Sequence, residues 1–145
     1  MLRRLFVEPV VDFGGRFDRV DRAALIPKPA RAIPIWLGGA GEKAFDRAAR
    51  LADGFIFFGA GGIDGALDSW IALRERLATL DRSVEHFGAE YVSLSQGTES
   101  LVAESEAWRA AGGTHFSIST MGFGLESTDA HYDYISSVAK ALVLS

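Results

Sequence analysis

Ile33-Pro34-Ile35-Trp36-Leu37-Gly38-Gly39-Ala40-Gly41-Glu42 is the stretch on which the fold turns. A short apolar run passes straight into a glycine-rich turn. Ala44, Phe45, Ala48, Ala49 and Ala52 then recur on one face of a helix over 42–52. The unit is strand, turn, helix. Ala52-Asp53-Gly54 leads into a second apolar run, Phe55-Ile56-Phe57-Phe58, and a second glycine loop, Gly59-Ala60-Gly61-Gly62.

Outward from there the pattern recurs. Leu67, Trp70, Ile71, Leu77 and Leu80 stripe a helix over 64–80. A strand over 89–95 carries Tyr91-Val92-Ser93-Leu94. Thr98 is expected to cap a helix over 99–111 with Leu101, Val102, Ser105 and Trp108 inward. His115-Phe116-Ser117-Ile118-Ser119-Thr120 is the fourth run. Asp129 is expected to cap a last helix over 130–142, with Ile135, Val138, Ala139 and Leu142 inward. Upstream, residues 8–20 read as a hairpin whose Gly14-Gly15 pair supplies the positive φ of a tight turn. Pro27, Pro29 and Pro34 make an extended lead-in.

Four strand–helix units imply a parallel sheet with helical crossovers, buried on both faces. The expected organisation is one domain, with the hairpin and lead-in at 1–32 and a (βα)4 body at 33–145. An open doubly wound sheet and a segment of a (β/α)8 barrel both fit. A barrel needs ~250 residues, so the 145 residues here favour the open sheet on length alone.

Composition narrows the function classes. The chain has no cysteine, which excludes disulfides, thiolate metal sites and thiol nucleophiles. A net charge of -4 argues against a nucleic-acid binder, which needs a basic face. No apolar run approaches the ~18 residues of a membrane span. Arg3-Arg4 precedes only Leu5-Phe6-Val7 before Glu8-Pro9, unlike a signal peptide, so the expected location is cytoplasmic.

The glycine turn at 38–41 is the strongest local signal. Glycines let a ligand approach the backbone, and the following helix N-terminus offers unpaired N–H groups and a favourable dipole to an anion. A tight βα turn that needs glycine only for its geometry fits the same residues. It is neither a Walker motif nor a clean Gly-x-Gly-x-x-Gly, since position 44 is Ala. The loop at 59–62 lies at the same strand end, where parallel α/β folds bind ligands. Asp53 reads as a turn residue and Gly54 as a left-handed helix cap. An open nucleotide-binding sheet would need an acidic residue after the second strand, and Asp64 falls late. His115 falls at the non-ligand end of its strand and reads as structural, whereas Ser119 and Thr120 lie nearer the ligand end. His86, His115 and His131 have no metal-ligand spacing, so no metal is assigned, and no Ser/His/Asp set is recognisable. Trp70 and Trp108 read as core, and Trp36 as core before pocket wall.

Pro-Ile-Trp-Leu-Gly-Gly at 34–39, Ala-x-x-Arg-Ala-Ala-Arg at 44–50 and Ala-Asp-Gly at 52–54 resemble the luciferase-like monooxygenases, the flavin- or F420-dependent barrel oxidoreductases. Gly15-Arg16-Phe17, Pro27-Lys28-Pro29, Thr114-His115-Phe116-Ser117, Met121-Gly122 and Asp129-Ala130-His131 extend the likeness over about residues 3–142. The resemblance implies four βα units of a (β/α)8 TIM barrel, its C-terminal half, behind an N-terminal β-hairpin. It implies FMN or F420 as cofactor, held near its phosphate by Gly38, Gly39 and Ala40 and flanked by Gly59 and Ala60, with a small-molecule substrate. At 40–42 the chain reads Ala-Gly-Glu where relatives often carry a hydroxyl residue, and family members are about twice as long. Those departures leave no catalytic residue to assign. They also keep an alternative, a non-catalytic half-barrel that forms a homodimer or joins a missing N-terminal half.

Overall fold

The computed structural model describes residues 1–59 and 61–142, and the chain divides into two compact units after Pro34. The first holds a short helix, α1 (Leu2–Val7), and an antiparallel hairpin of β1 (Val11–Gly14) and β2 (Arg19–Ala23). Gly14 and Gly15 are not left-handed, contrary to the turn expected from the pair. Gly15 is instead needed for space: a Cβ there would sit 2.7 Å from the Phe13 ring. Lys28, between the two prolines of the lead-in, donates its ammonium to the carbonyls of Leu5 and Glu8. A cation on the last carbonyls of a helix is the favourable end for its charge.

The second unit begins at Ile35. Its order is β3 (Trp36–Gly38), α2 (Glu42–Leu51), β4 (Gly54–Phe58), α3 (Gly62–Thr79), β5 (Gly88–Ser93), α4 (Thr98–Ala110), β6 (His115–Ile118) and α5 (Thr128–Ala141). The strands pair in that order, all parallel: Trp36 beside Gly54, Gly54 beside Gly88, Glu90 beside His115. This is the α/β fold of four βα units with an N-terminal hairpin that the pattern predicts.

The sheet is not buried on both faces as expected. Burial alternates along β4 and β5. Phe55, Phe57, Ala89 and Tyr91 are buried with Ala44, Phe45, Ala48 and Ala49 of α2 and Trp70, Leu73 and Leu77 of α3. Trp108 of α4 joins them, with ring centroids 5.3 Å from Phe57 and 6.4 Å from Trp70. Removing one such aromatic costs about 3–5 kcal/mol. The residues between them face the other way, and Phe58 there is 58% exposed.

Trp36 belongs to that second face rather than to the core. Its ring lies over two glycines of neighbouring strands: a Cβ on Gly54 would come 2.5 Å from it, and one on Gly88 2.0 Å. The ring meets His115 edge-on, centroids 5.0 Å apart. Gly54 is therefore a strand residue kept small by an indole, not the left-handed cap expected. Asp53 keeps the structural role expected of it, but as a strand clamp: its Oδ2 accepts from Ile35 N–H at 2.7 Å.

Other details differ from expectation. Gly97 and Ser127, not Thr98 and Asp129, are the N-caps of α4 and α5. Ser127 Oγ accepts from Ala130 N–H, which lies three residues on as an N-cap requires. Ile71, Leu80 and Ile135 are half exposed, because α3 and α5 bury narrower stripes than their apolar residues suggest. Among the described residues no helix is long and apolar enough to cross a membrane.

Candidate functional site

The C-terminal ends of β3 and β4 open onto the N-termini of α2 and α3. Both helices start at a glycine, Gly41 and Gly61, and neither has a side-chain cap. Gly39, Gly41, Gly61 and Gly62 all have positive φ, a conformation that side chains resist. No side chain caps either helix, and of the first-turn N–H groups Ala44 donates to Gly41 O and Gly62 to Gly59 O.

The result is a small cleft of about 80 Å³. Gly39, Ala40 and Gly41 form one wall and Gly59, Gly62 and Gly65 the other, over Phe45 and Phe57. Of the residues predicted for the site, Gly39, Ala40 and Gly59 meet here. Gly38 ends β3 and does not line the cleft, and Ala60 lies outside the described residues. No charged side chain lines it. Glu42 and Asp64 sit in the two first turns, so acidic charge stands close to both helix N-termini.

A larger, open groove of about 570 Å³ runs along the outer side of α3. Its arginines have structural partners. Arg82 donates to the carbonyls of Ala49 and Ala52 at the end of α2, at 2.6 and 2.8 Å. The Arg74 guanidinium lies 5.8 Å from the Trp70 ring centroid.

Beyond β6, Thr120 Oγ1 and His131 Nδ1 are 2.8 Å apart, joining the last loop to α5. His115 Nδ1 lies 2.8 Å from Thr114 Oγ1 at the opposite end of the sheet. Two polar groups escaped the sequence reading. Ser117 donates to Glu90 Oε1 at 2.5 Å on the face away from the helices. Glu104 of α4 accepts from Ser93 and Ser95. The available signal was the alternation of β5: it turns Ser93 toward the helices, where a buried hydroxyl needs a partner. Beside this cluster, burial pushes the Tyr91 phenol above its ordinary range, and the Glu104 carboxylate adds to the shift.

Four parallel strands, each followed by a helix and with glycine loops at the C-terminal ends of β3 and β4, define an α/β segment of four βα units. The profile of the luciferase-like monooxygenases matches residues 1–142, and the chain belongs to that family. It is 38% identical over 56 residues to an F420-dependent glucose-6-phosphate dehydrogenase of Nakamurella multipartita, covering 39% of this chain and 16% of that protein. It is 33% identical over 94 residues to an uncharacterized protein of Mycobacterium tuberculosis, covering 65% of this chain and 32% of that one. The fold matches an F420-dependent secondary alcohol dehydrogenase solved with an F420–acetone adduct, with a TM-score of 0.73 at 14% identity. That match covers 97% of this chain and 58% of the dehydrogenase. The alignments thus span less than two thirds of each relative.

Proposed function

We propose that this chain is the phosphate-holding half of an F420- or FMN-dependent oxidoreductase acting on a small molecule. The observation that carries the proposal is the cleft between the uncapped N-termini of α2 and α3. Its size suits a single phosphate rather than a fused ring system, and the two helix N-termini beside it supply the dipole an oxyanion favours. The residues present therefore fit the phosphate of such a cofactor. Gly39, Ala40 and Gly41 would hold it from the β3 side, and Gly59 and Gly62, whose N–H groups go to Val92 O and Gly59 O, would give it space on the β4 side. The bound cofactor would supply hydride chemistry, while the protein binds and orients it. The F420 dependence named for two relatives supports F420 over FMN. A cytoplasmic location belongs to the same reading.

The second face of the sheet supports a further element of the proposal. Phe58 and Leu94 are 58% and 42% exposed there, and among the described residues the outer edges of β3 and β6 have no neighbouring strand in the sheet. Such edges and faces recruit a cover. A second four-strand half would provide it, either another copy of this chain or an N-terminal half. The alternative of a non-catalytic half-barrel differs only in lacking the cofactor.

The deciding experiment is a titration of the purified chain with F420 and with FMN, followed by fluorescence, alongside light scattering. Saturable binding of either supports the reading. Binding of neither at high micromolar concentration, with or without a dimer, leaves the non-catalytic reading. A monomer at working concentration refutes the homodimer.

A further inference from the structure

Behind the C-terminal end of β5, on the helix side of the sheet, hydroxyls converge on one carboxylate. Ser93 Oγ donates to Glu104 Oε2 and Ser95 Oγ to Glu104 Oε1, each at 2.5 Å. Ser93 is fully buried, and its Oγ also accepts from Ser95 N–H at 3.1 Å. Glu104 is not serving the helix end, because α4 starts at Thr98 and its first-turn acid is Glu99. Hydrogen bonds to a carboxylate are about twice as strong as neutral ones. Here two of them grip alternate residues of one chain segment.

The residue between them is Leu94. Its side chain lies against Gly59: a Cβ added at Gly59 would stand 2.5 Å from Leu94 Cδ1 and 2.7 Å from Cγ. Gly59 N–H also donates to Val92 O at 3.3 Å, so the loop after β4 leans on β5 twice. Gly59 is one wall of the glycine cleft.

We propose that Glu104 is a positioning residue for that cleft: by clamping Ser93 and Ser95 it holds Leu94 against Gly59 and fixes the wall on which a phosphate-bearing ligand rests. The ligand in this statement rests on the proposed function, whereas the mechanical link from Glu104 to Gly59 does not.

The test is a double-mutant cycle on the full chain, read by thermal unfolding without ligand. Gly59→Ala must push aside a clamped Leu94, and is expected to lower Tm by about 5 °C, the scale of a modest overpacking. In the Glu104→Ala background Leu94 is free to yield, and the same substitution is expected to cost less than half as much. Ser95→Ala removes one arm of the clamp only, should give an intermediate value, and carries the test if Glu104→Ala does not fold. A Glu104 that merely stabilises α4 would lower Tm yet leave the Gly59→Ala increment unchanged. Equal increments in all backgrounds overturn the proposal. The second arm is F420 titration, where a folded Glu104→Ala is expected to bind about tenfold more weakly, as coupled sites do. Unchanged affinity breaks the link to the ligand. Failure of the unmodified chain to bind F420 or FMN refutes the proposed function, and the unfolding cycle still decides the positioning role.

Discussion

Two adjacent glycines, Gly112 and Gly113, make opposite demands on the chain, and substituting each by alanine separates them. Gly112 has φ +86 and open space where a side chain would go. Gly113 has no left-handed φ, but a Cβ there would stand 2.2 Å from Trp108 Nε1 and 2.4 Å from Cδ1 and Cε2. Ordinary carbon contacts lie at about 3.5–4.0 Å, so three ring atoms overlap the new methyl by more than an ångström. Trp108 has little freedom to retreat. It is 1% exposed, donates from Nε1 to His115 O at 2.9 Å, and packs on Phe57 and Tyr91. Gly113→Ala therefore combines overpacking of about 1–3 kcal/mol with a hydrogen bond worth about 1 kcal/mol. The sum is about 2–4 kcal/mol, or on the order of 10 °C in Tm for a domain of this size. Gly112→Ala meets only backbone strain, about 1–2 kcal/mol. Chemical denaturation of both variants at constant m-value measures the difference. Trp108→Phe vacates the Nε1 position and should make the Gly113→Ala increment smaller. If Gly113→Ala costs no more than Gly112→Ala, the argument from ring overlap is wrong.

Other outcomes follow from the same geometry. Gly39→Val adds bulk at a wall residue whose φ of +136 resists any side chain, so it should abolish F420 or FMN binding. Titration of the folded variant checks this, and retained affinity would move the ligand elsewhere. Asp53→Ala removes the acceptor for Ile35 N–H and should cost about 1–3 kcal/mol. Cofactor affinity should not change, because Asp53 lies at the opposite end of the strands. Tyr91 has a folded pKa above the ordinary value near 10. The stability it contributes is therefore present below about pH 10 and lost as the pH rises through the folded value. Unfolding of Tyr91→Phe between pH 9 and 11 should show a shallower alkaline decline, and parallel curves would contradict the assignment.

The order of elements was legible because their periods differ. Phe55-Ile56-Phe57-Phe58 is too short for a helix, whereas Ala44, Phe45, Ala48 and Ala49 recur at helical spacing. The cleft was legible in part. Gly39 and Gly59 stand out because glycine clusters at strand ends are local features. Gly38 ends β3 and does not line the cleft, a placement the sequence does not show because direction within a turn is not encoded by residue type. Caps were missed by one or two residues, since Gly97 and Ser127 compete with equally plausible neighbours in Thr98 and Asp129.

The sequence by itself determined four strand–helix units, their parallel arrangement and the family, because hydrophobic period and glycine placement are properties of short windows. Only the tertiary structure decided what each small residue is small for. Gly54 and Gly88 make room for Trp36, Gly113 for Trp108, and Gly59 for Leu94. It also decided that Glu104 reaches the strand end that bears Ser93 and Ser95. Those partners lie on other elements, and a close approach between elements is set by register and packing, which no local pattern contains.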